Sequence, residues 1–389
     1  DGLDGLARLV AEAGGLATDG IAEHFALSVG YLGAGQFIER HALGGDRERV
    51  LAKLAGASPG SREPTELAAV VADELGDEVD RVSSLAEISA HSAAASDGLA
   101  RLLERFGSRS LDGGSDAPTF AERPDLVLRS IRAARGHRPV ESPGLDEIPP
   151  DVQRSYALRD DNVGITCNWT AGLLRRAVMA AGEGLVAHGV LEKPDLVFHL
   201  SVAQLSRACA GRLDLTEQAR TAEAVHALAS ASVPPPVIDG ERFPKPPHEL
   251  PANVGAATSA LMTYREPMPP AEPRGDQLRG IGIGTAVVQG RARVAHNAIA
   301  GGDALEPGDI VVTSITDSAF NVLLTMVGGV VTEFGGANSH AALMARELGM
   351  TAIVGVEGVV ARIPDGALIE LDPGTGEVRI VDGSGRTVD

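Results

Sequence analysis

The chain has 389 residues, a formal charge of −19 and only 3% aromatic residues. That length leaves room for two or three domains, each with its own core. The acidic balance and the scarcity of rings argue against nucleic-acid binding, which draws on basic surface and stacking platforms.

No apolar run approaches the ~18 residues of a membrane span, and no signal peptide opens the chain. Cys167 and Cys209 are too few for a disulfide framework or a thiolate metal site, so a reducing cytoplasm is the expected location. The first residue is Asp1 rather than Met, as in a piece of a longer polypeptide.

From residue 1 to about 135 the pattern is helical. Leu3, Leu6, Leu9 and Val10 recur at helical spacing, as do Leu67, Val70, Val71 and Leu75. Gly14-Gly15, Gly44-Gly45 and Ser58-Pro59-Gly60 read as breaks, with Thr18 or Asp19 starting a helix through Phe25 and Val29. A helix ends at Gly107, a polar loop with Arg109, Asp112 and Asp116 follows, and Pro124 opens the next helix.

Residues 136–152 are Pro/Gly-rich and acidic, an irregular connection. The spacing of Leu173, Leu174, Ala177, Val178, Ala181 and Leu185 predicts one long amphipathic helix, stopped by Gly189. Pro194-Asp195 then introduces a short extended segment. Arg159, Arg175 and Arg176 could meet phosphate or a carboxylate, although ordinary surface charge is the plainer reading.

Residues 233–251 and 267–273 are proline-dense, and the second run reads as an extended, semi-rigid linker. Beyond it, short strands are expected at 285–294, 309–313, 329–333, 352–355, 367–371 and 377–381, with helices at 317–326 and 339–348. Gly280-Ile-Gly-Ile-Gly284 reads as a strand entrance, because a lone glycine pattern is weak evidence for nucleotide binding. No P-loop, no defensible Ser–His–Asp arrangement and no His/carboxylate metal spacing occurs.

The most informative stretch is 333–355. An apolar run, 327–331, leads in as a buried strand, and Gly335-Gly336 allows a turn that a Cβ would resist. Asn338 or Ser339 caps a helix running to Leu348, and Gly349 stops it. His340 thus falls in the first turn, where N–H groups and the helix dipole favour negative charge. The dipole disfavours protonated imidazole, leaves a ring nitrogen nucleophilic, and stabilises a phosphoryl group once attached. A lone histidine in a helix is more often structural, so the surrounding residues have to decide.

Gly335-Gly336, Ser339-His340, Ala345-Arg346-Glu347 and the run from Gly349 to Gly355 closely resemble the phosphohistidine motif of the mobile domain shared by phosphoenolpyruvate-utilising enzymes. Thr351 stands where that family usually has proline. The 103–128 segment is similar to the central helical domain of rifampicin phosphotransferase-type enzymes, with Ser108 in place of a usual histidine. So is the stretch from Leu158-Arg159-Asp160-Asp161 to Leu200, where His199 replaces an apolar residue and reads as packing.

The resemblance implies an α plus α/β architecture. A helical acceptor-binding body (1–265) precedes a proline-rich linker (266–277) and a small phosphohistidine swivelling β/β/α domain (278–382). His340 would carry the phosphoryl group, with Gly335, Gly336, Ser339 and Arg346 holding its oxygens and no metal bound by this chain. ATP and Mg2+ would enter through an ATP-grasp domain or subunit, in cis in a longer protein or in trans. The acceptor would be a small molecule, with no nucleic-acid or membrane partner. In these residues the helical region precedes the His domain, an order expected of the rifampicin phosphotransferase type rather than of relatives that place a pyruvate barrel after the His domain. Two alternatives stay open: a non-catalytic binding or regulatory protein that retains the His domain, and a phosphotransferase using phosphoenolpyruvate itself. A swivelling carrier should touch the helical body over a modest area and keep His340 within reach.

Overall fold

The computed structural model describes residues 3–28, 51, 53–54, 58–136, 144–211, 214–230, 249, 278–295, 305–337 and 339–381. The expected linker, Val29, Gly44-Gly45, Asn338 and most of the 233–251 run lie outside the described residues.

The N-terminal region is built from helices whose ends the sequence marks. These are α1 (Leu3–Ser28), α2 (Pro59–Leu75), α3 (Leu85–His91), α4 (Ala93–Phe106), α5 (Pro124–Ala133), α6 (Pro150–Asn162), α7 (Thr170–Ala187), α8 (Val202–Gly211) and α9 (Thr216–Ser230). Ser84 and Ser92 cap α3 and α4 by accepting from the N–H groups of Glu87 and Ala95. Pro59 and Pro124 sit in the first turns of α2 and α5, where proline removes no helical hydrogen bond.

Two expectations need correction. Gly14, Gly15 and Thr18 do not break or start a helix but lie inside α1. Helical neighbours and the packing of α1 along α7 outweigh the ~1 kcal/mol cost of each mid-helix glycine. Likewise, Pro194–His199 is a 3-10 turn, not an extended segment, because Pro194 at its first position suits helical φ.

The long helix expected over 173–185 is the second half of a larger run. Seven residues, Val163–Trp169, form a π turn between α6 and α7. Gly20 of α1 lies so close to this turn that a Cβ there would come within 2.3 Å of the Thr166 carbonyl oxygen.

The C-terminal region is one eight-stranded sheet, in the order β1-β8-β7-β3-β4-β5-β6-β2. Its strands are β1 (Leu278–Arg279), β2 (Ile281–Ile283), β3 (Val288–Val294), β4 (Ile310–Thr313), β5 (Gly329–Thr332), β6 (Thr351–Val354), β7 (Leu368–Asp372) and β8 (Glu377–Ile380). The pairs β3–β4, β4–β5 and β5–β6 are parallel; the outer pairs are antiparallel. Helices α10 (Asn321–Leu324), α11 (His340–Leu348) and α12 (Val359–Arg362) make the crossings. The expected 317–326 helix is split, with a 3-10 turn at Ser318–Phe320 ahead of α10.

Strands buried on both faces need unbroken apolar runs rather than alternation, and β4 to β6 have them. Ile310, Val312, Val331 and Ile353 face one core with α12, β7 and β8. Val311, Val330, Ala352 and Val354 face the other, which continues without a break through α11 into Val71, Leu102 and Tyr156 of the helical region. The helix α2 packs directly on α10 and α11.

The sealed position of Ile353 sets a measurable cost. Ile353→Ala should destabilise the protein by about 2–5 kcal/mol in urea unfolding. Val202→Ala, at a side chain 75% exposed, should change stability by less than about 0.5 kcal/mol.

Candidate functional site

The site forms where parallel strands end. Because β4 and β5 run side by side, the chain leaving each emerges at the same edge: Glu333 N–H donates to Thr313 O, and Phe334 N–H to Ser314 O, both at 2.9 Å. In open α/β sheets this carboxyl edge is where ligands gather.

The turn before α11 depends on its glycine. Gly335 has φ +132°, and a Cβ there would meet Ser339 Cβ at 2.8 Å. Ser339 N–H then donates to Gly336 O at 2.9 Å. Ser339 is the cap of α11, its hydroxyl accepting from Ala342 N–H, and Gly349 closes the helix in left-handed conformation. His340 is therefore the first residue of α11, half-buried, with the first-turn N–H groups around it.

Both ring nitrogens of His340 have partners. Nδ1 lies 2.9 Å from Thr316 Oγ1, and Nε2 lies 2.6 Å from Asn321 Oδ1. Thr316 is on the loop leaving β4, and Asn321 opens α10. The reading of the sequence missed both residues. Strand β4 and a following helix were expected, but nothing in the sequence pairs β4 with β5, and that pairing is what brings the two loops together.

Arg346 is buried, and its Nη1 donates to the carbonyls of Ala337 at 2.6 Å and Ala342 at 3.3 Å. Those contacts hold the turn between β5 and α11.

The helical region reaches the same edge through its π turn, a distortion common at functional sites. Asn168 Nδ2 donates to Ser318 Oγ at 2.9 Å, both groups buried, and Asn168 O accepts from Ser110 N–H at 2.9 Å. Asn168 thereby joins the polar 108–119 loop to the turn beside His340. Within that loop, Gly114 N–H donates to Asp112 Oδ1 at 2.9 Å. Loss of solvation around its head group pushes Asp112 above the usual carboxylate pKa, and the nearby Asp116 and Asp317 carboxylates add to this, against the pull of Gly114 N–H.

The remaining candidates are dispersed. Arg175 meets a carboxylate: Nε lies 2.8 Å from Glu122 Oε2, and Nη1 donates to Asp116 O at 2.6 Å. Burial works against ionised Glu122, but Arg175 and the Thr119 N–H and hydroxyl outweigh it and hold its pKa below the usual range. Arg109 stacks 4.4 Å from the Phe106 ring centroid, and Arg176 is exposed. The Arg159 side chain lies outside the described residues. His199 is half-buried, its ring tilted against His226 at 5.8 Å. Among the described residues no group of three His, Cys, Asp or Glu could hold a metal ion, and no helix is long and apolar enough to cross a membrane.

The domain is thus a mixed sheet with a parallel centre and a histidine heading a glycine-entered helix at its edge. Residues 305–376 match the family described as PEP-utilising enzyme, mobile domain, and this region of the chain belongs to it. The chain is similar to an uncharacterized protein of Mycobacterium tuberculosis, 30% identical over 275 residues, covering 68% of this chain and 29% of the relative. It is also similar to the rifampicin phosphotransferase of Streptomyces sviceus, 34% identical over 209 residues, covering 53% of this chain and 21% of the relative. A third relative is the chondramide synthase of Chondromyces crocatus, 29% identical over 319 residues, covering 72% of this chain and 8% of the synthase. The chain thus spans less than a third of the length of each of these three relatives.

Two outcomes follow from this geometry. Asn168→Ala strands the buried Ser318 hydroxyl and should cost about 1–3 kcal/mol in urea unfolding. Glu122, with its lowered pKa, contributes stability above its ordinary value of 4.5 that disappears as pH falls through the lowered one. Thermal melts across that acid range should therefore decline less steeply for Arg175→Ala than for the wild type.

Proposed function

We propose that His340 carries a phosphoryl group from an ATP-grasp domain, in cis or in trans, to a small-molecule acceptor bound by the helical region. The observation that carries this reading is the placement of His340 at the head of α11, between a glycine turn and a serine cap. In this reading residues 1–265 bind the acceptor, 266–277 link, and 278–382 carry. The similarity to rifampicin phosphotransferases supports a phosphotransferase with a small-molecule acceptor.

A neutral ring nitrogen attacks the donor phosphorus, the P–N bond forms, and the leaving oxygen keeps the electrons of the broken P–O bond. The first-turn N–H groups, Gly335, Gly336 and the Ser339 hydroxyl receive the phosphoryl oxygens. Arg346 serves by fixing the turn through the Ala337 carbonyl. In the second step the acceptor attacks phosphorus, the P–N bond breaks, and the ring nitrogen takes up a proton. Nucleotide and Mg2+ chemistry belongs to the ATP-grasp partner. Ile315 and Phe334, next in sequence to Thr316 and Gly335, are large exposed apolar side chains and suit an acceptor with an apolar body.

A binding or regulatory role without turnover is the second reading, favoured by the engagement of both His340 nitrogens. Incubation with γ- and β-labelled ATP and an ATP-grasp protein separates the two. Phosphotransfer predicts label on the wild type but not on His340→Ala, lost in acid, stable in alkali, and reduced at pH values where histidine protonates. Acid-stable label, or equal label on both proteins, would sink it.

A further inference from the structure

Imidazole is nucleophilic only at the nitrogen that lacks the proton. A hydroxyl such as Thr316 Oγ1 donates or accepts, whereas a carbonyl oxygen such as Asn321 Oδ1 only accepts. With that partner, Nε2 of His340 bears the proton. The lone pair then lies on Nδ1, where the Thr316 hydroxyl donates to it. Nδ1 is the ring nitrogen nearest the backbone, and the partners of both nitrogens, Thr316 and Asn321, are buried, so neither nitrogen is open while the ring is held. Nε2, at the far edge of the ring, is the atom a mobile domain can present to a second site. The ring therefore has its lone pair on the wrong nitrogen for transfer.

We propose that Asn321 is a tautomer latch, a positioning residue that keeps Nε2 of His340 protonated and unreactive until the ring is released. The proposal rests on the phosphocarrier reading of His340. On release, water takes the proton from Nε2 and returns one to Nδ1, and Thr316 changes from donor to acceptor. The Nε2 lone pair then attacks phosphorus. The P–N bond forms as the bond from phosphorus to its leaving group breaks, the leaving group keeping that electron pair. With a proton on Nδ1 and phosphorus on Nε2 the ring is an imidazolium, which the Thr316 hydroxyl oxygen steadies by accepting from Nδ1 until that proton passes to water. Asn321 directly follows the Ser318–Phe320 turn that Asn168 grips from the helical region. Docking and latching thus act on one short segment.

Two measurements on the full chain test this: 15N NMR of the histidine rings, with His340 assigned by difference against His340→Ala, and labelling by phosphoramidate, a chemical donor that needs no partner protein. The wild type should show the proton on Nε2. Asn321→Ala should shift it toward Nδ1 and speed labelling about fivefold, the weight of one net hydrogen bond. Asn321→Asp keeps the acceptor and adds a negative charge, so it should hold the Nε2 proton, raise the ring pKa and slow labelling at neutral pH. The charged groups on the elements around the ring are Asp317, Glu333, Arg346 and Glu347, with Asp112 and Asp116 from the helical region, and none changes in these variants.

A merely damaged site would slow labelling in both variants, and that result would overturn the latch. So would a wild-type ring protonated on Nδ1, or unchanged labelling in Asn321→Ala. Absence of label in every protein, with the ring signals as expected, would overturn the phosphocarrier reading while supporting the hold of Asn321 on the proton.

Discussion

The parallel pairing of β4 with β5 is the constraint on which the site depends. Its register, Ile310 opposite Gly329 through Thr313 opposite Thr332, fixes where both chains leave the sheet. One exit supplies Thr316 and Asn321; the other supplies the glycine turn and His340. A slip of one residue would turn every side chain of the strand to the opposite face and exchange the two cores that Val311 and Val312 separate. Position along the sheet and orientation of the imidazole are thus one specification.

Arg346 and Asn168 secure that specification from opposite sides. Arg346 reaches back along α11 to the Ala337 carbonyl and keeps the turn closed. Asn168 approaches from outside the sheet and fixes Ser318. Neither contact uses a charge pair, and each satisfies a buried polar group that would otherwise be costly to leave unbonded. The acidic groups nearby work the other way, Asp116 and Asp317 adding to the burial that disfavours negative charge on Asp112.

Much of this was legible in the sequence because it is local. Glycine before a serine cap, an apolar run before the glycine, and a left-handed stop at Gly349 are all short-range signals, and they gave α11 and its flanking strands closely. The segments that went wrong are those where longer-range packing decides. Gly14-Gly15 stays helical because α1 lies along α7, and the π turn at Val163–Trp169 is accommodated by the close approach of Gly20. Thr316 and Asn321 were hidden because their relation to His340 runs through strand pairing, which composition does not encode.

The core beneath α11 does not stop at the edge of the sheet domain. Leu343 and Met344 belong to the same apolar cluster as Val71, Leu102 and Tyr156. Pulling the two regions apart would wet that seam, and each ~100 Å² of apolar surface uncovered costs about 2.5 kcal/mol, nearly two powers of ten in population. In the carrier reading proposed above, a domain seated this way spends almost all its time at rest. Any second surface that draws it off has to cover the same oily face, so affinity for that surface, more than the chemistry at the ring, would govern the frequency of each journey.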